Sequence, residues 1–197
     1  MTACPVGNPT PYRWPYGQTM EKSELGPANG SLTLYTGVEG RAARMGHSLE
    51  LAVDDWNAEV TFAGQEPESV ALAARLASLR VDAGHGLKPL TSGDKETILR
   101  HARDCLNADT NPEVTFVSTS ISRAGDAVAI EGQLSIAGQT RSIDTTVALT
   151  DEGDHWTVVS VLSVNQSDFG ITPYATMLGM LQVADEVRVE VRVAIGK

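Results

Sequence analysis

Apolar and polar residues alternate along most of the chain, and this period of two constrains the fold more than any other feature. In the run "EVRVEVRVAI", four valines from Val187 to Val193 face one side of an extended strand, and charged residues face the other. The same alternation occurs in "SLELAVDD", "AEVTFAG", "AVAIEGQLSIAG" and "SIDTTVALT". Strands with one apolar and one polar face are typical of antiparallel sheets that bury a single face.

Short turns separate these runs. The stretches "RAGDA", "AGQT" and "DEGD" each supply a glycine where a hairpin requires a positive φ. With the further runs "SLTLYTGV", "SVALAARLASLRV", "EVTFVSTSI" and "WTVVSVLSV", the pattern predicts about eight or nine strands. Such strands, with almost no helix between them, predict an all-β antiparallel sandwich or closed barrel.

Two segments interrupt the alternation. The run "SGDKETILRHARDCLN" has helical spacing, and it predicts a helix over about 92–106 with Ser92 as its N-cap. The segment 166–187, "QSDFGITPYATMLGMLQVADEV", gathers aromatic residues and methionines in a chain that has few of either. Its "SDFGI" part is predicted to end a strand, and "YATMLGML" to form two helical turns before the last strand.

The length of 197 residues suits one domain with a tail. Residues 1–29 are rich in Pro, Gly and Asn without periodicity, which predicts a loose tail, and residues 30–197 are predicted to form the β domain. Cys4 lies in the tail and Cys105 on the apolar stripe of the helix. The default expectation is one exposed and one buried thiol, and a disulfide between them is the open alternative.

A net charge of −10 argues against nucleic acid as a partner, since an acidic surface repels phosphate backbones. No apolar run approaches the ~18 residues of a membrane-spanning helix. The N-terminus lacks a basic stretch followed by an apolar one, so a cytoplasmic location is expected. A periplasmic or secreted location stays open if a signal was removed.

Several motifs together resemble the YceI-like family. They are "RMGHSLELAVDDWNAEV", "NPEVTFVSTSI", "VAIEGQLSIAGQTRSIDTTVAL", "SDFGI" and "MLGMLQVADEVRVEVRVAI", and the resemblance runs from Ser31 to Ile195. It implies a single lipocalin-like antiparallel β-barrel of about eight strands. It also implies that the barrel interior holds an isoprenoid chain such as a polyprenoid or quinone tail. Many members of the family carry a secretory signal and act in the periplasm.

The residues themselves leave the barrel interior open to two interpretations. The inward positions are mostly Val, Leu, Ile and Ala, and the whole chain has three Phe, so the interior could hold unfilled volume for a ligand. A packed core is the alternative, and alternation alone does not separate the two. The resemblance favours a non-covalent lipid ligand and no catalysis, cofactor or metal.

The predicted ligand contacts follow from this interpretation. The body of the ligand is expected to touch Leu49, Leu51, Phe62, Phe116, Ile136, Val147, Phe169, Met177 and Leu181. Tyr174 and His47 are the candidates for its polar end. One alternative is a stress-related scaffold or carrier that acts through a protein partner, for which a homodimer is conceivable. A less favoured one is an enzyme in which His47 pairs with Asp168.

Overall fold

The structure, a computed structural model, describes residues 22–63, 66–124 and 127–196. These residues form one α-helix and a 12-stranded sheet. The strands are β1 (Lys22–Leu25), β2 (Gly30–Glu39), β3 (Ser48–Val53), β4 (Trp56–Ala63), β5 (Glu66–Arg75), β6 (Leu79–His85), β7 (Glu113–Ala124), β8 (Ala127–Ile136), β9 (Gln139–Asp151), β10 (His155–Asn165), β11 (Ala175–Thr176) and β12 (Leu181–Gly196). The helix is α1 (Ser92–Cys105).

The strands form a continuous antiparallel sheet in the order β1-β4-β5-β7-β8-β9-β10-β12-β2-β3-β6, and β11 pairs with β12. The sheet curls so that Trp56 of β4 and Leu79 of β6, from opposite ends of the strand order, belong to one buried cluster. Backbone hydrogen bonds extend the pairs β4–β5 and β3–β6 beyond the strands, because the Arg75 N–H donates to the Asp55 carbonyl (2.9 Å) and the Asp54 N–H donates to the Ser78 carbonyl (3.4 Å). The predicted all-β antiparallel barrel is therefore confirmed.

The structure has more strands than predicted because one predicted run is divided by a corner and because β1 and β11 lie outside the predicted runs. The run "SVALAARLASLRV" contains β5 and β6, separated by the 3-10 turn Leu76–Ser78. At this corner the Ser78 hydroxyl donates to the Arg75 carbonyl (2.8 Å) and accepts from the Asp55 N–H (2.9 Å). The corner depends on contacts between residues that are distant in sequence, which a local pattern does not contain.

The predicted tail and the described strands overlap. β1 lies within residues 1–29 and pairs with β4, so Leu25 is opposite Ala58. Residues 1–21, which include Cys4, lie outside the described residues. The division into a tail and a domain at residue 30 stays a prediction.

Helix α1 covers one end of the barrel and begins one residue from the predicted cap. Its N-cap is Thr91 rather than Ser92, because the Thr91 hydroxyl accepts from the Asp94 N–H (3.2 Å) while the Thr91 N–H donates to the Asp94 carboxylate (2.9 Å). This reciprocal pair is a capping box. The apolar face of the helix, which carries Ile98, Leu99 and Ala102, packs against the apolar interior of the barrel.

Replacing Thr91 with alanine is expected to lower the free energy of unfolding by about 1 kcal/mol at neutral pH, the usual cost of losing an N-cap side chain. Urea unfolding followed by circular dichroism would measure the change. Serine at the same position is the matched control, since it keeps the hydroxyl. An alanine variant as stable as the serine variant would contradict this role of the cap.

The same cap should weaken in acid. The Thr91 N–H, and secondarily its hydroxyl, hold the pKa of Asp94 below the ordinary value of 3.8. A carboxyl whose pKa is lower in the folded state contributes stability above its unfolded pKa, and this contribution is lost as the pH falls through the folded value. Thr91→Ala keeps this N–H and loses only the hydroxyl, so the hydroxyl's part of the stability difference between the wild type and Thr91→Ala should be lost below about pH 4.

The segment between β10 and β12 differs from its prediction. "SDFGI" does not end a strand: Gln166–Phe169 form a 3-10 turn that follows β10. The short helix before the last strand is a single 3-10 turn, Met177–Gly179, rather than two helical turns. The two-residue strand β11 precedes it, because Ala175 and Thr176 pair with Gln182 and Leu181 of β12.

Two apolar clusters form the core. The larger one joins β2, β3 and β6 to β4 and β5 and contains Trp56, Leu79 and Val193. The smaller one contains Leu134, Val164, Phe169 and Ile171, and Cys105 and Leu106 of α1 pack against it. The helix thus connects both clusters across one end of the sheet.

Candidate functional site: the barrel lumen

A cavity of about 440 Å³, hereafter the lumen, occupies the interior of the curled sheet. Its wall is built from the inward positions of the strands, such as Leu32, Leu34 and Thr36 on β2. Because successive side chains of a strand point to opposite faces, the same period of two that predicts the strands also builds this apolar wall.

The lumen is open because its wall consists largely of small aliphatic side chains. Val158, Val189 and Val191 point inward and pack against the main core, yet they are only half-buried. A packed interior would enclose such side chains, since protein cores have few voids larger than a water molecule. The structure therefore favours the interpretation of the inward residues that leaves room for a ligand.

The Phe116 ring lies close against Gly132 on the wall. A β-carbon at Gly132 would collide with the Phe116 ring and lie 2.6 Å from the Val117 carbonyl oxygen. The glycine on β8 therefore allows a close approach of the ring from β7, and the ring becomes part of the lumen wall.

The lumen wall has no Asp, Glu, Lys or Arg among the described residues. Burial, and secondarily the Asp104 carboxylate, raise the pKa of the Cys105 thiol above its ordinary value of 9.0. Cys105 therefore lines the lumen as a neutral thiol at physiological pH. A wall without charge suits a neutral apolar molecule, because a charged group would lose its hydration there without a counter-ion.

A few polar groups are present in the lumen wall. The hydroxyls of Thr145 and Ser160 are hydrogen-bonded to each other (2.8 Å). The Thr36 hydroxyl and the Trp56 indole nitrogen are buried without a hydrogen-bond partner. A buried unsatisfied donor costs about 1–3 kcal/mol, so each of these two groups would gain by donating to an oxygen of a ligand.

A pair of stacked rings lies between the lumen and solvent. His101 of α1 and Tyr174 lie with ring centroids 4.2 Å apart and planes at 15°. Both rings line the lumen, and Tyr174 is 38% exposed to solvent. The stack therefore separates the lumen from solvent where the helix meets the segment before β11.

The structure places the predicted ligand contacts in three different settings. Seven of them line the lumen: Leu49, Leu51, Phe62, Phe116, Ile136, Val147 and Tyr174. Phe169 is buried in the smaller core cluster instead. Met177, Leu181 and His47 do not line the lumen.

His47 and Asp168 do not form the predicted pair. The His47 ring is hydrogen-bonded through Nε2 to the Lys88 carbonyl (2.6 Å), and the Asp168 carboxylate accepts from the Asn165 amide (3.4 Å). Each side chain is used to fix a neighbouring loop or turn. The pair on which the enzyme alternative depended is therefore not formed.

The sequence interpretation missed Thr36, Trp56, His101 and the Thr145–Ser160 pair as lumen residues. Thr36 could have been found, because it stands two residues after Leu34 and so shares its face. His101 could not, because its place depends on how α1 packs across the end of the barrel.

Two further features are absent from the described residues. In residues 22–63, 66–124 and 127–196, no group of three or more His, Cys, Asp or Glu side chains is arranged to hold a metal ion. Over the same residues, no helix is long and apolar enough to cross a membrane.

Comparison with known proteins agrees with this architecture. A family model described as the YceI-like domain matches residues 24–195. "Protein YceI" of Escherichia coli is 31% identical over 118 residues, and a "UPF0312 protein" of Pseudomonas aeruginosa is 28% identical over the same length. These matches cover 59% of the chain and 58% of each relative, so the matched part spans less than two thirds of the relatives' length.

Solved structures share the fold at lower identity. BcnA of Burkholderia cenocepacia superposes with a TM-score of 0.65 at 22% identity, covering 86% of this chain and 98% of BcnA. A YCEI protein of Campylobacter jejuni superposes with a TM-score of 0.56 at 16% identity, covering 75% of this chain and 84% of that protein.

Proposed function

The chain belongs to the YceI-like domain family, and on that premise we propose that its lumen binds a long, neutral, apolar molecule of the isoprenoid type without covalent bonds. The uncharged apolar lumen of about 440 Å³ is the observation that carries this proposal. A strand-built wall without charged side chains offers little to a polar metabolite. It offers a continuous apolar contact to an aliphatic chain.

The expected energetics are favourable. Burial of an aliphatic chain contributes about 0.8 kcal/mol for each CH₂ group, so about ten such groups supply ~8 kcal/mol. Loss of translational and rotational freedom offsets several kcal/mol of this gain. Binding therefore strengthens with the length of chain that the lumen encloses, and this gain does not require any specific polar contact.

Polar groups in the wall would set the orientation of the ligand. The Thr36 hydroxyl and the Trp56 indole nitrogen are donors that lack a partner, and each could bind an oxygen on the ligand. Tyr174 keeps its role as a candidate for the polar end, since it lines the lumen and also reaches solvent. His47 loses that role, because its ring lies outside the wall.

Native mass spectrometry of freshly purified protein, followed by organic extraction, tests the proposal. We expect a species heavier than the bare chain and an extractable lipid of matching mass. Delipidated protein should then take up an isoprenoid alcohol more tightly than a straight-chain alcohol of equal carbon number. Protein that carries no lipid and takes up neither alcohol would contradict lipid binding, whereas equal uptake of both would contradict the isoprenoid class.

A further inference from the structure

Three segments touch one another and form a continuous surface, here called the rim: residues 40–47, 86–91 and 172–181. The first touches the third, because the Ala42 N–H donates to the Met180 carbonyl (2.9 Å). The first also touches the second, because the His47 ring binds the Lys88 carbonyl and leaves no room for a β-carbon at Gly86. Tyr174, within the third segment, connects the rim to the lumen.

The rim exposes large apolar side chains together. Leu178 is fully exposed, Leu87 is 79% exposed, and Met45, Met177 and Met180 are substantially exposed. Single exposed apolar residues are normal on a protein surface, but a contiguous set marks an interaction site. The rim supplies most of the exposed large apolar side chains among the described residues, and Val117 and Val161 on β7 and β10 are the others.

The backbone of the rim is held in an unfavourable form at the point of greatest exposure. Met177, Leu178 and Gly179 have φ values of 53°, 56° and 80°, in the left-handed region that suits glycine and not leucine. The Leu178 side chain makes no packing contact that would compensate, since it is fully exposed. Backbone strain that no packing contact compensates is found at sites that bind a partner.

The rim also has the opposite charge to the rest of the molecule. Its three segments contain Arg41, Arg44 and Lys88 and not one Asp or Glu, although the chain as a whole has a net charge of −10. Glu39 and Asp94 lie in sequence just beyond these segments. The three cations form no ion pair with other described residues, so they are available to an external anion. A partner that is both apolar and anionic fits this surface.

We infer that the rim docks on the surface of an anionic lipid bilayer, with Leu178 and the neighbouring methionines inserted among the lipids and Arg41, Arg44 and Lys88 on the head groups. The acidic remainder of the protein is repelled by the same surface, so docking orients the stacked rings towards the lipid. The inference rests on the proposed function, because a docked rim gives a lipid chain a path past Tyr174 into the lumen without crossing water.

Vesicle sedimentation tests the docking. The protein should sediment with vesicles of phosphatidylglycerol and phosphatidylcholine and stay in solution with phosphatidylcholine alone. Leu178→Ser should weaken binding about tenfold or more, since the Leu side chain no longer enters the bilayer. Arg41→Gln and Arg44→Gln should each weaken it about fivefold, and added salt should weaken it further.

Matched variants outside the three rim segments provide the controls. Val161→Ser changes an exposed apolar residue of β10 and Arg141→Gln an exposed arginine of β9, and both should leave vesicle binding unchanged. Docking is overturned if the wild type does not bind anionic vesicles or binds both kinds of vesicle equally. It is also overturned if Leu178→Ser binds anionic vesicles as tightly as the wild type.

Lipid occupancy separates failure of the docking from failure of the lumen proposal. Protein that keeps its co-purified lipid in native mass spectrometry but does not bind vesicles contradicts the docking and leaves the lumen proposal intact. Protein that binds anionic vesicles through Leu178 but never carries lipid contradicts the lumen proposal and supports the docking alone.

Discussion

Replacing Val189 with tryptophan is expected to remove most of the bound lipid, at least tenfold in occupancy, while the barrel stays folded. Val189 lies on β12 between the two core clusters and packs against both, so an indole at this position projects into the middle of the lumen. A chain that runs through about 440 Å³ of space loses much of its contact area when the middle is blocked. Native mass spectrometry of the purified variant measures the occupancy, and competition with a fluorescent lipid measures the affinity.

The matched control is Val161→Trp, which places the same side chain on the outer face of the neighbouring strand β10. Val161 is exposed, whereas the residues on either side of it, Ser160 and Leu162, line the lumen. Overpacking of a filled core costs about 1–3 kcal/mol, but an open lumen can receive the indole at less cost. Urea unfolding should therefore show both variants folded. Equal lipid occupancy in the two variants would contradict a ligand in the lumen.

Sequence periodicity predicts the lumen wall wherever a strand is regular. Leu49 and Leu51 on β3, Phe116 on β7 and Val147 on β9 all stand on the apolar face of an alternating run, and all four line the lumen. In a strand, position along the sequence fixes the face that a side chain occupies, so local information is sufficient.

Sequence periodicity does not predict the side-chain positions in the segment between β10 and β12, for a physical reason. Phe169 lies in a 3-10 turn, and Met177 and Leu178 have left-handed backbone, so neither a period of two nor one of 3.6 determines where their side chains point. Their apolar side chains indicate that this segment contacts apolar surroundings. Apolar character alone does not distinguish a core, a lumen and an exposed rim, and the structure places residues of this one segment in all three.

Long-range contacts account for the remaining differences. The corner at Leu76–Ser78 requires the hydrogen bond between Arg75 and Asp55, and the stacked rings require α1 to bring His101 next to Tyr174. Both are tertiary contacts between separate elements. A single sequence predicts the elements more readily than it predicts such contacts, which is why the barrel was predictable and this corner and the stacked rings were not.

Replacing Phe169 with alanine is expected to lower the free energy of unfolding by about 3–5 kcal/mol, the usual cost of removing a buried aromatic side chain. Phe169 is 3% exposed and packs with Leu134, Val164 and Ile171, and Cys105 of α1 reaches the same cluster. The loss should therefore loosen the attachment of the helix as well as the turn. Urea unfolding followed by tryptophan fluorescence measures the change.

Phe62→Ala is the matched variant that separates a core role from a ligand role. Both phenylalanines are predicted ligand contacts, but Phe62 is half-buried on the lumen wall and Phe169 is enclosed in the core. Phe62→Ala should therefore cost less stability and lower lipid affinity, because the half-buried ring lines the lumen and gives part of its contact area to the ligand. Phe169→Ala should show the opposite balance. Equal losses of stability in the two variants would mean that the interior around Phe62 is packed like a core. The proposed ligand contact at β4 would then be contradicted.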